Sequence, residues 1–331
     1  MKRKGCLFEQ ITDYQNIVDA FQKAAKGKRW KQEVMDFRAD FDANITSLRQ
    51  SIISDNVRIG NYHFFTIYDP KCRTICAASF PERILHHALM NLCRPVFERH
   101  FIADTYATRE GKGIYKAIEK AQMLMKRYPY VVKLDYRKYY DSINHVALKQ
   151  KLRRLFKDKR LLLLFDRIID SYSVADGDGL PIGNLTSQFF ANYFLSDIDH
   201  AMKEKERIEG YVRYMDDILM MSSSKEKLKM AVGELVGRST RIGLALKPPL
   251  YRHAASGVNF LGYKVFPHYY VLSGRSKRRY ADKVGKYHKL YSCGDWDERT
   301  LNEHLVPLTA FASHGSNIAF MKSVMNRVEV V

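Results

Sequence analysis

Residues 211–221 read YVRYMDDILMM, two apolar runs meeting at a pair of carboxylates, Asp216 and Asp217. Alternating and continuous apolar stretches of this length, broken by two turn-favouring residues, predict a β-hairpin with the acids at its tip. Such a pair is also ordinary turn chemistry, and on its own it establishes no more than that. The surrounding chain makes it unusual. The 331 residues carry 55 Lys and Arg against 36 Asp and Glu, a formal charge of +19. A basic excess of this size is the footprint of a polyanionic partner, and equally of a solvated basic surface.

A second segment presents an acid in the same way. VVKLD (131–135) is a short apolar strand ending in Asp135. Carboxylates at the rim of a buried sheet are costly unless arginines or metal ions neutralise them. Hard oxygen ligands suit Mg²⁺, and two such ions bridged by carboxylates clamp an in-line phosphoryl displacement. A basic chain with a small acidic centre therefore fits an enzyme acting on nucleic acid.

Composition bounds the rest. With 46% hydrophobic and 27% charged residues, the chain is globular and long enough for two or three subdomains. It has no run of about 18 apolar residues and no basic amphipathic helix apart from the core pattern, so no membrane partner is expected. The start, MKRKGCLFEQITDY, lacks the apolar centre of a signal peptide. Five scattered cysteines fit a reducing cytoplasm. Cys72 and Cys76 with His86 and His87 match no common zinc spacing.

The pattern of elements is mixed. Residues 1–50 have helical spacing, 57–78 read as a hairpin turning at YDPKC, and a helix follows from Pro81. TREGKG is a basic glycine-bounded loop before the helix IYKAIEKAQMLMKRY. A long helical stretch is expected from about Asn144 to Ser171, then a loop, a helix from Leu185, the acidic hairpin, a helix over 225–242, a β-ribbon at VNFLGYKVFPHYYVLS and a helical tail from about 275. The expected class is α+β.

Read together, the segments resemble the motifs of a reverse transcriptase in their usual order. CRTICAASFPERILHHAL (72–89) and FIADTYATREGKG (101–113) are similar to the two fingers motifs. VVKLDYRKYYDSI resembles motif A, GLPIGNLTSQFFANYFL (179–195) motif B, YVRYMDDILMM motif C, IGLALKPP (242–249) motif D, and VNFLGYKVF (258–266) the primer grip. The resemblance implies a right-hand fold: N-terminal helices and fingers over 1–128 (with part of 144–180), palm over 129–268 and helical thumb over 269–331. It implies that Asp135, Asp216 and Asp217 are catalytic and, with the carbonyl of Tyr136, hold two Mg²⁺ ions. Tyr140 takes the place of the aromatic that excludes a ribose 2′-OH, or is a core aromatic beside Tyr139. Lys71 and Arg73 match basic positions gripping the nucleotide phosphates, as an arginine fork does well. Arg109 and Lys112 would face nucleotide or template, or only solvent. Lys247 matches a lysine that protonates pyrophosphate. Phe260, Leu261, Gly262 and Tyr263 would form the primer grip, or an ordinary strand. Seven basic residues in 274–291, among them Arg275, Lys277, Arg278 and Arg279, suit a thumb helix following a duplex backbone.

Motif B refines the resemblance. Where related enzymes read close to PQGSPLSP, this chain has Ile182 before Gly183, and Gln188 after Ser187. PIGNLTSQ resembles the reverse transcriptases of diversity-generating retroelements. That implies a cytoplasmic, bacterial or phage-encoded enzyme that copies a template-repeat RNA from dNTPs with frequent errors opposite adenine. It also implies a small, basic, helical accessory protein forming a pentamer. Isoleucine at 182 cannot make the hydrogen bond a glutamine could, which weakens rejection of mispairs. The alternatives are a retron-type or phage-defence reverse transcriptase, a catalytically silent nucleic-acid-binding module, and an RNA-templated RNA polymerase, the last disfavoured by Tyr140.

Overall fold

The computed structural model describes residues 2–68 and 72–329, so the expected role of Lys71 lies outside the described residues. Four helices open the chain: α1 (Phe8–Ile11), α2 (Tyr14–Ala25), α3 (Gln32–Ala39) and α4 (Phe41–Ile53). The predicted hairpin follows as β1 (Tyr62–Ile67) and β2 (Arg73–Ala78), antiparallel from Tyr62 opposite Ala78 to Ile67 opposite Arg73. Then come α5 (Phe80–His100), with its proline in the first turn as expected, and α6 (Ile114–Arg127).

Four strands make the central sheet. They are β3 (Tyr130–Asp135), β4 (Gly210–Tyr214), β5 (Asp217–Ser222) and β6 (Leu250–His253), all antiparallel in the order β4-β5-β3-β6. Between β3 and β4 lie α7 (His145–Leu155), α8 (Lys159–Asp170), α9 (Leu185–Phe194) and α10 (Ser196–His200); α11 (Lys225–Arg241) follows β5. The expected helical stretch over 144–171 is thus two helices. Asp158 breaks it: one carboxylate oxygen caps Leu161 N–H, and the other accepts the N–H groups of Leu7 and Phe8 at 2.9 and 3.0 Å. The expected ribbon is a three-stranded sheet, β7 (Val258–Phe260), β8 (Tyr263–Val265) and β9 (Tyr270–Leu272), and the tail is three helices, α12 (Gly274–Ser292), α13 (Glu298–Ser313) and α14 (Ile318–Glu329). Among the described residues no helix is long and apolar enough to cross a membrane.

The central sheet is covered on both faces, which is why β5 reads as a continuous apolar run. Val132, Leu134, Ile218 and Met220 join one core, shared with α1–α5 and α7–α9. Val131, Leu219 and Met221 join a second, shared with α6, the three-stranded sheet and α12. Strand alternation then puts Lys133, Asp135 and Asp217 on the second face, towards the tail helices.

Candidate active site

Asp135 ends β3 directly opposite Asp217, the first residue of β5. Asp216 directly precedes Asp217, at the two-residue turn closed by the Tyr214–Asp217 pair. Its neighbour Met215 has φ of 53°, a left-handed conformation that side chains other than glycine's seldom adopt. A buried network enforces this turn. The guanidinium of Arg213, 0% exposed, donates to both oxygens of Asp199 at 2.6 and 2.5 Å, to Asn192, and to the Met215 carbonyl at 3.0 Å. Tyr211 donates to the same Asp199 at 2.7 Å. Sequence reasoning missed this pair. Its signal was a lone arginine in an otherwise apolar strand, which requires a buried acid.

The electrostatics of the three acids differ. Burial, then the negative charges of Asp217 and Asp135, push the Asp216 carboxyl up to about 6, against the pull of Arg73. Asp135 Oδ2 accepts from Lys247 Nζ at 2.6 Å, while Lys247 N–H bonds the Asp135 carbonyl at 2.9 Å. Asp217 Oδ1 is buried, and Lys133 Nζ stands 3.1 Å away at an angle that makes an ion pair without a hydrogen bond. Lys133, also overlooked in the sequence, donates on to the Asn259 carbonyl of β7 at 3.1 Å. Among the described residues no three acidic, His or Cys side chains converge closely enough to hold a metal ion as they stand. The donor set nevertheless fits a hard dication. It consists of carboxylates at the sheet rim, one raised by burial and its neighbours' charge, one with an oxygen lacking a hydrogen bond, and one neutralised by a lysine in the place a cation would take.

The other expected residues divide between those brought to this site and those turned away. A cavity of about 740 Å³ is lined by Arg73, Lys133, Asp217, Leu261, Arg275 and Arg279 among others. Arg73, at the start of β2, thus faces the acids from the hairpin, and Arg275 and Arg279 face them from one side of α12. Lys277 lies over the Phe320 ring at 5.2 Å, and Arg278 is exposed. Leu261 and Gly262 form the β7–β8 turn with φ of 49° and 90°, the pairing a two-residue primed turn needs. Ser276 Oγ donates to the Gly262 carbonyl at 2.6 Å and so ties the turn to α12. Phe260 and Tyr263 are buried in the second core.

Tyr140 is half-buried, edge-on to Tyr139 at 5.9 Å; burial raises its hydroxyl pKa, with smaller effects from Asp216 and Arg73. Tyr136 is buried, its hydroxyl 2.9 Å from Ser239 Oγ, so only its main chain is left for a ligand. The motif B turn docks on the hairpin: Cys76 N–H bonds the Ile182 carbonyl at 2.8 Å. Gly183, at φ of 133°, packs so closely that a Cβ there would lie 2.6 Å from the Cys76 carbonyl. Gln188 is half-buried on the first turn of α9.

Arg109 is not brought to the cavity. Its guanidinium pairs with Glu98 at 2.7 Å and donates to Ile102 and Thr105, bracing its own loop. Lys112 likewise folds back, bonding the Ala103 carbonyl at 2.7 Å over the Tyr106 ring.

A small antiparallel sheet carrying three acids, faced by Arg73 of the hairpin on one side and by Arg275 and Arg279 of α12 on the other, is the arrangement of a nucleotidyl-transferring polymerase of the right-hand class. A sequence model described as "Reverse transcriptase (RNA-dependent DNA polymerase)" matches residues 68–265, more than half of the chain. The chain belongs to this family, whose members are RNA-directed DNA polymerases and generally use divalent metal ions. The protein YkfC of Escherichia coli (strain K12) is 22% identical over 267 residues, covering 65% of this chain and 70% of that protein. The apo telomerase of Candida tropicalis shares the fold with a TM-score of 0.52 at 11% identity, over 82% of this chain. This chain corresponds to 59% of that structure's length. A telomerase of Candida albicans, in complex with a TWJ fragment of telomeric RNA, aligns over 80% of this chain and 54% of its own, at 12% identity and a TM-score of 0.46.

Proposed function

We propose that this reverse transcriptase is of the diversity-generating type, copying a template-repeat RNA into cDNA with errors concentrated opposite adenine. The observation that carries the reading is Ile182. It sits in the motif B turn, pressed against the fingers hairpin by the Cys76–Ile182 hydrogen bond, and its side chain offers no donor or acceptor. A site that makes no hydrogen bond to the pair being formed discriminates weakly.

The proposed division is fingers over 1–128 with part of 144–180, palm over 129–268 and thumb over 269–331. Asp135, Asp216 and Asp217, with the Tyr136 carbonyl, would hold the metal ions. Two Mg²⁺ bound there would activate the primer 3′ oxygen and steady the leaving pyrophosphate. Arg73, across the cavity from Asp217, binds the triphosphate. Tyr140 sets its ring against the sugar and excludes a 2′-OH. Lys247, whose Nζ rests on Asp135, is placed to give a proton to the departing pyrophosphate. The Leu261–Gly262 turn and the Arg275 and Arg279 face of α12 hold the primer and its duplex. A basic pentameric accessory protein is the proposed partner.

The test is to add the RNA transcribed beside the gene to the purified chain, with and without the neighbouring gene product, and to sequence the cDNA. Errors should cluster opposite adenine and fall in Ile182→Gln. Uniform fidelity with no change in that variant would favour a retron-type or phage-defence enzyme. An Asp216→Asn protein that extended primers at the original rate would remove the assignment of the acids.

A further inference from the structure

The loop between α2 and α3 reads KGKRWK (26–31), four cations and a tryptophan in six residues. Trp30 is 74% exposed, an unusual position for the largest apolar side chain. Among the described residues none of Lys26, Lys28, Arg29 and Lys31 has an acidic oxygen within 4 Å. The loop borders a small pocket of about 170 Å³, whose walls add Lys23 of α2 and Arg83 and His87 of α5. His86, 1% exposed, also lines it; its Nε2 makes no hydrogen bond and lies 3.5 Å from Glu82 Oε1. The nearby acid Glu33 is already paired with Arg83. Burial, and after it the charges of His86, Lys23, Lys28 and Arg83, lower the His87 pKa to about 4.

The pocket's remaining wall is Gly183, Asn184 and Leu185, the residues that follow Ile182. This basic surface therefore adjoins the motif B turn from the first core. The α12 cations line the active-site cavity, and α12 packs in the second core. One surface suits the duplex already made. The other is too small for a groove, yet offers phosphate-binding cations on the same loop as an exposed indole, over which Lys31 Nζ stands at 6.0 Å. That is the chemistry of a single strand, whose unpaired bases stack on aromatics while lysines follow the backbone.

We propose that the α2–α3 loop and its pocket bind the uncopied, single-stranded 5′ side of the template RNA, with phosphates on Lys26 and Lys28 and a base on Trp30. The inference rests on the polymerase reading of the site, and is independent of the diversity-generating one.

Tryptophan fluorescence tests it. The chain has two tryptophans, and Trp296 is stacked on His304 at 4.5 Å in the tail helices. In a Trp296→Phe protein, Trp30 alone reports. A DNA primer on an RNA template with an overhang of about 12 nucleotides, within the span of single-strand sites, should quench it. The same duplex with a one-nucleotide overhang should not. Trp30→Ala should weaken binding of the long-overhang substrate roughly tenfold while leaving the short one unchanged. Lys26→Gln with Lys28→Gln should lower the salt slope of binding by about 1.4. Equal quenching by both substrates, or by neither, overturns the proposal, as does quenching by polyglutamate but not by RNA, which would assign the surface to an acidic protein. Extension on short overhangs should persist in Trp30→Ala. Failure of the unsubstituted protein to extend any primer would instead refute the polymerase reading, while fluorescence still reports on the loop.

Discussion

The Arg213–Asp199 pair gives the sharpest test of how the acidic hairpin is held. Asp199→Asn keeps the shape but removes the charge that two guanidinium bonds of 2.6 and 2.5 Å neutralise. Arg213 would remain as a buried cation, with only neutral oxygens as acceptors: those of Asn192 and Met215 and the one amide oxygen left at position 199. Breaking one partner of a buried pair costs about 3–5 kcal/mol. Against a total stability of about 5–15 kcal/mol, that is about a fifth or more of the fold's margin. With a urea slope of roughly 3 kcal/mol per molar, the midpoint should fall by about 1–1.7 M. Replacing both partners with apolar residues, Arg213→Met with Asp199→Leu, should recover most of that loss, because no unpaired charge is then buried. Primer extension should not recover, because the bond from Arg213 to the Met215 carbonyl, which fixes the strained turn before Asp216, would be gone. Urea melts and extension rates on the three proteins decide it. The reasoning fails if the single variant loses less than about 1 kcal/mol, or if the double variant regains full activity.

Three further outcomes are expected. Tyr140→Ala should raise the use of NTPs relative to dNTPs by about 10- to 100-fold, measured by competition in primer extension; unchanged sugar selection would return Tyr140 to a packing role. Gly183→Ala should destabilise the protein by about 1–3 kcal/mol in denaturant melts and slow extension, since its Cβ would meet the Cys76 carbonyl at 2.6 Å in a backbone conformation that disfavours side chains. Because the His87 pKa drops from 6.5 to about 4 on folding, the unfolded chain holds the extra proton between those values, so stability is full above 6.5 and lost as pH falls towards 4. His87→Gln should therefore lose less stability than the unsubstituted protein between pH 7 and 4.5, by about 1–2 kcal/mol after allowing for its partial exposure.

What the sequence revealed depended on how local the cause was. The hairpin at 211–221 was legible because its apolar runs and its two-residue turn are adjacent in the chain. So was the end of β3 at Asp135, and with both the fold class and the acidic centre. The division of 144–171 into two helices was not, because Asp158 caps one helix while binding backbone groups at Leu7 and Phe8, some 150 residues away. Arg109 looked outward because its loop is basic and glycine-bounded, yet Glu98 and the carbonyls around Thr105 claim it. Lys133 was hidden by being one polar residue in an apolar strand. Its meaning depends on which face of β3 it shares with Asp135, and on β7 lying beside it.

The docking of motif B has a consequence for how such an enzyme can diversify. The bond that seats the turn runs from Cys76 N–H to the carbonyl of residue 182, and the close fit beside it is glycine backbone against backbone. Neither contact involves the side chain at 182. That position is thus a replaceable tip on a fixed mount. A lineage could exchange isoleucine for a polar residue, or the reverse, in one step without re-engineering the scaffold that presents it.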